Sequence, residues 1–267
     1  MRLIFTAIIL LLAMPGLDSQ ELTDRINFTD DKGLKQGYWE QKYPNGNIRY
    51  KGVFKNDHPV GELIRYFPGG SKMAVLNFCD EGRRADAELF YQNGGLAGRG
   101  IFIDEQKDSV WKYFSYYDNQ LASTETYNMG VKEGLSAVYY PDGQMSESFW
   151  YQNDSRNGPW KQYYQNGSVR LEADFVDDER HGEFRFYGIN GRVEIEGNYS
   201  QNRMHGEWIY YDQPGDEATV INYIEGVPEN EEELIDEQQE MFRQIEQMRG
   251  RIPEPDESDL FNPGMRR

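Results

Sequence analysis

Cysteine is nearly missing from this chain. Cys79 is the only one in 267 residues, so no intrachain disulfide can form and the fold must hold by packing and strand pairing. A lone thiol also rules out a cysteine zinc cluster. Histidine is scarce, with three residues. His181 and His205 stand at the same position of neighbouring repeats, about 10 Å apart if two strands separate them, too far to share a metal comfortably. Basic residues are outnumbered, 28 against 46 acidic, for a net charge of −18. That balance argues against nucleic acid and against binding to anionic membranes, because both need a basic patch. No phosphate loop, nucleophile elbow or zinc motif occurs. No catalytic, cofactor or metal residue is therefore assigned. The Asp177-Asp178-Glu179 stretch lacks the glycine-punctuated spacing of a dedicated calcium loop.

Long apolar runs are also few. Leu3 to Ala13, preceded by Arg2, is one, and it is too short to span a bilayer comfortably. Residues 1–19 read as a signal peptide, and the expected location is outside the cytoplasm: periplasm, cell surface or medium.

What is plentiful is glycine, tyrosine and phenylalanine, at a fixed period. Gly134, Gly158, Gly182 and Gly206 are each 24 residues apart, which marks a repeat architecture. Nine residues after each leading glycine stands another: Gly143, Gly167, Gly191 and Gly215 here, Gly46 and Gly70 earlier. Asn precedes it at Asn45, Asn93, Asn166 and Asn190. Asn-Gly between apolar runs predicts a hairpin, with both residues in the left-handed conformation of a primed turn. The leading glycine is expected to form the return turn into the next hairpin. One repeat is irregular: around Tyr116 to Leu121 the turn glycine is replaced by Gln120, with a small insertion after Trp111.

The aromatic positions recur too. Two residues after the leading glycine come Trp39, Trp160, Phe184 and Trp208; five after it, Tyr139, Tyr163, Tyr187 and Tyr211; seventeen after it, Phe54, Phe78, Phe102, Phe175 and Tyr199. Such residues suit a pleated surface and should form ladders. The expected fold is all-β, an elongated single-layer antiparallel sheet of about eight 24-residue hairpins with a short C-terminal helix. The expected organisation is signal peptide 1–19, lead-in 20–36 with room for one edge strand, repeats 37–227, an acidic amphipathic helix over 228–250 and a disordered tail over 251–267. The helix expectation rests on Leu234, Gln238, Met241, Ile245 and Met248 at spacings of four and three, and it would cap the last sheet edge.

The string Gly158-Pro159-Trp160-Lys161-Gln162-Tyr163-Tyr164-Gln165-Asn166-Gly167 resembles the MORN repeat. Its 24-residue spacing is similar to the bacterial variant of that repeat, which occurs in exported proteins and in a family labelled YwqK-type antitoxin. The resemblance covers about residues 37–227. It implies a ribbon of successive hairpins. It also implies scaffold, membrane-docking or partner-binding roles, without an activity.

The candidate binding face is Trp39, Tyr139, Trp160, Tyr163, Tyr187, Trp208 and Tyr211. Positions two and five have opposite parity, so which row faces solvent stays open. The expected function is non-enzymatic protein–protein scaffolding with an unidentified protein partner. The alternatives are a membrane-surface or lipid-associated module, and carbohydrate binding or turnover on the aromatic face. Glu62, Glu183 and Glu207, like Glu172, Glu194 and Glu196, recur repeat by repeat as structural positions do, whereas an acid–base pair should occur once.

Overall fold

The computed structural model describes residues 26–211, 218–229 and Arg243. Residues 1–19, the expected helix over 228–250 beyond its first two residues and Arg243, and the tail over 251–267 lie outside the described residues.

The first half contains β1 (Phe28–Thr29), β2 (Lys35–Lys42), β3 (Ile48–Lys55), β4 (His58–Tyr66), β5 (Lys72–Cys79), β6 (Arg84–Phe90), β7 (Leu96–Ile103), β8 (Gln106–Phe114) and β9 (Leu121–Asn128). The second contains β10 (Val131–Lys132), β11 (Gly134–Tyr139), β12 (Met145–Gln152), β13 (Ser155–Tyr163), β14 (Val169–Val176), β15 (Glu179–Tyr187), β16 (Val193–Ser200), β17 (Arg203–Tyr210), β18 (Thr219–Ile224) and β19 (Val227–Pro228). All belong to one antiparallel sheet in which strands pair with their sequence neighbours. β9 pairs with both β10 and β11, which together make one interrupted strand. Eight hairpins result. The sheet runs past the repeats at both ends, with β1 on β2 and Pro228 opposite Tyr223.

The turns differ from the sequence expectation. At Asn45-Gly46 only Gly46 is left-handed, with φ 88°. Gly46 N bonds Tyr43 O at 2.9 Å and Tyr43 N bonds Asn47 O at 2.8 Å. That is a three-residue loop, an ordinary turn closed by a left-handed glycine bulge. The Asn side chain bends back instead of taking positive φ: Asn45 Oδ1 accepts from Asn47 N. The primed two-residue turns lie at the other edge, at Asn56-Asp57, Asn153-Asp154, Asp177-Asp178 and Gln201-Asn202, where both residues have φ between 50° and 68°. Asp and Asn tolerate this conformation better than most residues.

The leading glycine is not a return turn either. Asp174 faces His181 while Glu172 faces Arg185, so β15 carries two extra residues around Gly182, whose φ is 80°. It is a bulge inside the strand. The irregular repeat puts Ser109 there, at φ 60°, and spends its insertion in the Ser115–Gln120 turn, where Asn119, not Gln120, is left-handed.

Both long edges are laced by side chains. At the glycine-turn edge, Tyr43, Tyr91, Tyr140 and Tyr164 hydroxyls each donate to a carbonyl 23 residues on, at 2.7–2.8 Å. At the primed-turn edge, Asp57, Asp154, Asp178 and Asn202 accept from a backbone N–H 22 residues back. Each repeat is thereby tied to the next beyond the strand ladder, as nearest-neighbour architectures require.

Candidate functional site: the two faces of the sheet

The core lies on one face. Trp111, Trp160 and Trp208 are 0–2% exposed, with Phe175, Phe184, Leu171 and Ile195 around the last two. No second layer covers them. Their cover comes from cationic side chains two residues before each leading glycine. Lys35 Nζ lies 4.9 Å from the Phe54 ring centre, Lys132 lies 5.2 Å from Tyr151, and Arg156 and Arg180 each lie 4.2 Å from Phe175 and Tyr199. The stems shield the rings and the charges sit over the π faces.

Packing on this face pairs large with small across strands. A Cβ on Gly197 would stand 2.3 Å from Trp208, and one on Gly100 2.4 Å from Trp111. In the next pair back, Ala173 faces Phe184.

Between the Trp111 and Trp160 clusters the face turns polar. Glu125, 7% exposed, meets Lys132 Nζ at 2.6 Å and accepts from the Tyr127 hydroxyl at 2.5 Å. Burial pushes its carboxyl up, but Lys132 and Tyr127 outweigh that and hold it below the usual carboxylate range. Burial raises the Tyr113 and Tyr127 hydroxyls, and the Glu125 charge adds to it. Glu147 accepts from Trp160 Nε1 at 2.8 Å and Gln162 Nε2 at 3.0 Å. Ser123 Oγ, Ser136 Oγ and Gln162 Oε1 are buried without a hydrogen-bond partner. These carboxylates are unrepeated, and the sequence reading missed them. Their signal was polarity where other repeats carry apolar residues, such as Ser136 at a tryptophan position. Both hold structural partners, so the pair has no free acid or base to offer a substrate.

The candidate binding residues divide between the faces. Trp160 and Trp208 are buried in the core, and Trp39 is half-buried, its Nε1 donating to Phe28 O at 3.2 Å. Tyr139, Tyr163, Tyr187 and Tyr211 form a row on the opposite face, half-buried except for exposed Tyr211. The Tyr187 hydroxyl donates to Glu172 at 2.8 Å and that of Tyr211 to Glu196 at 2.7 Å. Lys161 Nζ holds the other Glu172 oxygen at 2.7 Å, and this contact comes first in keeping Glu172 below its ordinary value.

On this outer face sits a patch outside the expected rows. Val110, Leu135 and Trp150 are 45–49% exposed. Val110 faces Thr126, the Thr126 hydroxyl donates to Leu135 O, and Leu135 faces Trp150. The patch therefore crosses β8, β9, β11 and β12. Trp150 has room because a Cβ on Gly158 would touch it at 3.4 Å. Its position, sixteen after Gly134, matches no repeated aromatic offset.

Among the described residues, no group of three or more His, Cys, Asp or Glu is placed to hold a metal ion. No helix among them is long and apolar enough to cross a membrane.

Two segments of the chain, 35–56 and 156–177, match the MORN repeat variant family. Each spans one hairpin, from the capping cation to the first residue of a primed turn. They start 121 residues apart, five periods plus the inserted turn residue. No curated protein matches the chain. Among solved structures, TarM is 16% identical over 35% of this chain and 20% of its own, with TM-score 0.27. A mutant of S. aureus TarM, in complex with fondaparinux, alpha-GlcNAc-glycerol and UDP, is 14% identical over 45% and 21%, with TM-score 0.29. TcdB2-TccC3-TEV is 10% identical over 71% and 12%, with TM-score 0.20. The chain thus spans about a fifth or less of each. Likeness at this level bears on neither fold nor activity.

Proposed function

From this chain of MORN-variant hairpins we propose a non-enzymatic scaffold that binds another protein through the outer face of its sheet. The observation that carries the reading is the Val110–Leu135–Trp150 patch. Three large apolar side chains lie together in solvent on a face otherwise made of Tyr, Lys, Arg and Glu. Exposed aromatics beside a polar surround are the usual make-up of a protein-binding hot spot. The tyrosine row extends that surface along the ribbon at 24-residue intervals, which suits a long, flat partner surface. The Trp160 and Trp208 row is spent on the core and is unavailable. The net charge of −18 weighs against an anionic-lipid surface as the target. The apolar start of the chain supports export, so the partner is sought in the cell envelope.

The test is Trp150→Ala. Because Trp150 is half in solvent, its removal should change stability by no more than about 0.5 kcal/mol, while affinity for a partner recovered with the wild-type chain falls by at least tenfold, about 1.4 kcal/mol. A variant that keeps full affinity would remove the outer patch from the function. Flotation with anionic vesicles should leave the protein unbound.

A further inference from the structure

The core face is not closed along its whole length. Over the first three repeats it opens into a groove of about 800 Å³. The opening follows from three local departures. Leu63 and Ala87 stand where other repeats carry tryptophan. Pro59 takes the place of a capping cation. Arg83, the next such cation, is drawn aside to Asp80 at 2.7 Å. Phe78 and Phe102 are consequently half-exposed and form the floor with Leu63 and Leu76.

The rim is cationic. Lys35, Arg49, Arg65 and Arg83 line it, against Asp57 and Glu105. The exposed Arg65 guanidinium has no hydrogen-bond or ion-pair partner among the described residues. On a chain of net charge −18, a positively lined concavity with an apolar floor selects an acidic, amphipathic partner.

The chain itself supplies one. Residues 229–249 hold eight carboxylates against Arg243 and Arg249, with Leu234, Met241, Ile245 and Met248 at helical spacing. We propose that the groove of one molecule seats segment 229–249 of a second copy, joining copies head to tail.

Reach excludes the same molecule. Thirteen strand spacings separate β4 from β18, about 60 Å along the sheet. The ten residues from Glu229 to the middle of the segment extend at most about 35 Å. With a second copy placed end to end, β19 of one molecule lies beside β1 of the next, and the groove begins only a few strand spacings beyond. The contact joins two different surfaces, so it can propagate into longer chains of molecules. It uses the inner face and stands apart from the outer-face reading.

The experiment uses the full-length protein. Light scattering behind size-exclusion chromatography should show species that grow with protein concentration and shrink with added salt. Arg65→Glu, at an exposed side chain with no fold partner, should weaken the association about tenfold or more without changing the melting curve. In mixed isotopically light and heavy chains, a benzophenone on Cys79, beside the groove residue Phe78, should crosslink to residues 229–249 of the other copy. A monomer at all concentrations, association unaffected by Arg65→Glu, or crosslinks only within one copy would each overturn the proposal.

Discussion

Gly197→Ala isolates what packs the core of this single sheet. Gly197 pairs with Phe184 on β15, and the Trp208 ring of β17 lies over its backbone. Its φ is not left-handed, so alanine costs nothing in backbone conformation. The cost is steric. The added carbon would sit 2.3–2.6 Å from three Trp208 ring atoms, and Trp208 is fully buried, so the ring cannot swing away without leaving its Nε1 bond to Asn198 O. Overpacking of this kind costs about 1–3 kcal/mol, and losing the indole hydrogen bond adds about 1 kcal/mol. We expect a loss of about 2–3 kcal/mol, read as a lower urea midpoint and a melting temperature down by roughly 4–10 °C. The neighbouring pair, Ala173 with Phe184, shows the remedy. Gly197→Ala combined with Trp208→Phe recreates that pair and should recover at least about 1 kcal/mol relative to the sum of the single changes. Strict additivity in the urea titration would refute the small-against-large reading of this face.

Two further outcomes follow from the local chemistry. Ser109 takes the left-handed position that glycine fills in other repeats, so Ser109→Gly should stabilise the protein by about 1 kcal/mol in the same titration. The Glu125 carboxyl is held below its ordinary value by Lys132 and Tyr127 against the opposing effect of burial. Its stabilising contribution is therefore complete above the ordinary carboxylate value and is lost as pH falls through the lowered folded value. Glu125→Gln should cost ~3 kcal/mol at neutral pH by leaving Lys132 unpaired, and that gap from wild type should narrow on acidification. An unchanging gap would show that the pair contributes nothing.

The repeat, its length and the number of hairpins were legible because spacing alone reveals them. The turn geometry was not. Asn-Gly suits two kinds of turn, and the choice is made by register: Lys42 opposite Ile48 leaves room for three loop residues and a bulge. The tyrosine and Asx laces were visible only as residues recurring at one offset. Nothing in Tyr140 or Asp178 says that it reaches a backbone group 23 residues on or 22 residues back. The outer patch escaped because Trp150 recurs in no other repeat and looked like noise against the period.

The order of residues along the chain settled that this protein is a ribbon of hairpins without disulfides, because a period of 24 with glycine at two fixed points admits little else. Which face is core and which is surface was decided only in three dimensions. The bulge at each leading glycine shifts the pairing by two residues, and the register then places Trp160 beside Phe149 and Ala173 on one side and Tyr163 on the other. Whether a face is covered depends on side chains arriving from other strands. Arg156 caps Phe175 while Phe78 has no such cap, and that difference separates closed core from open groove.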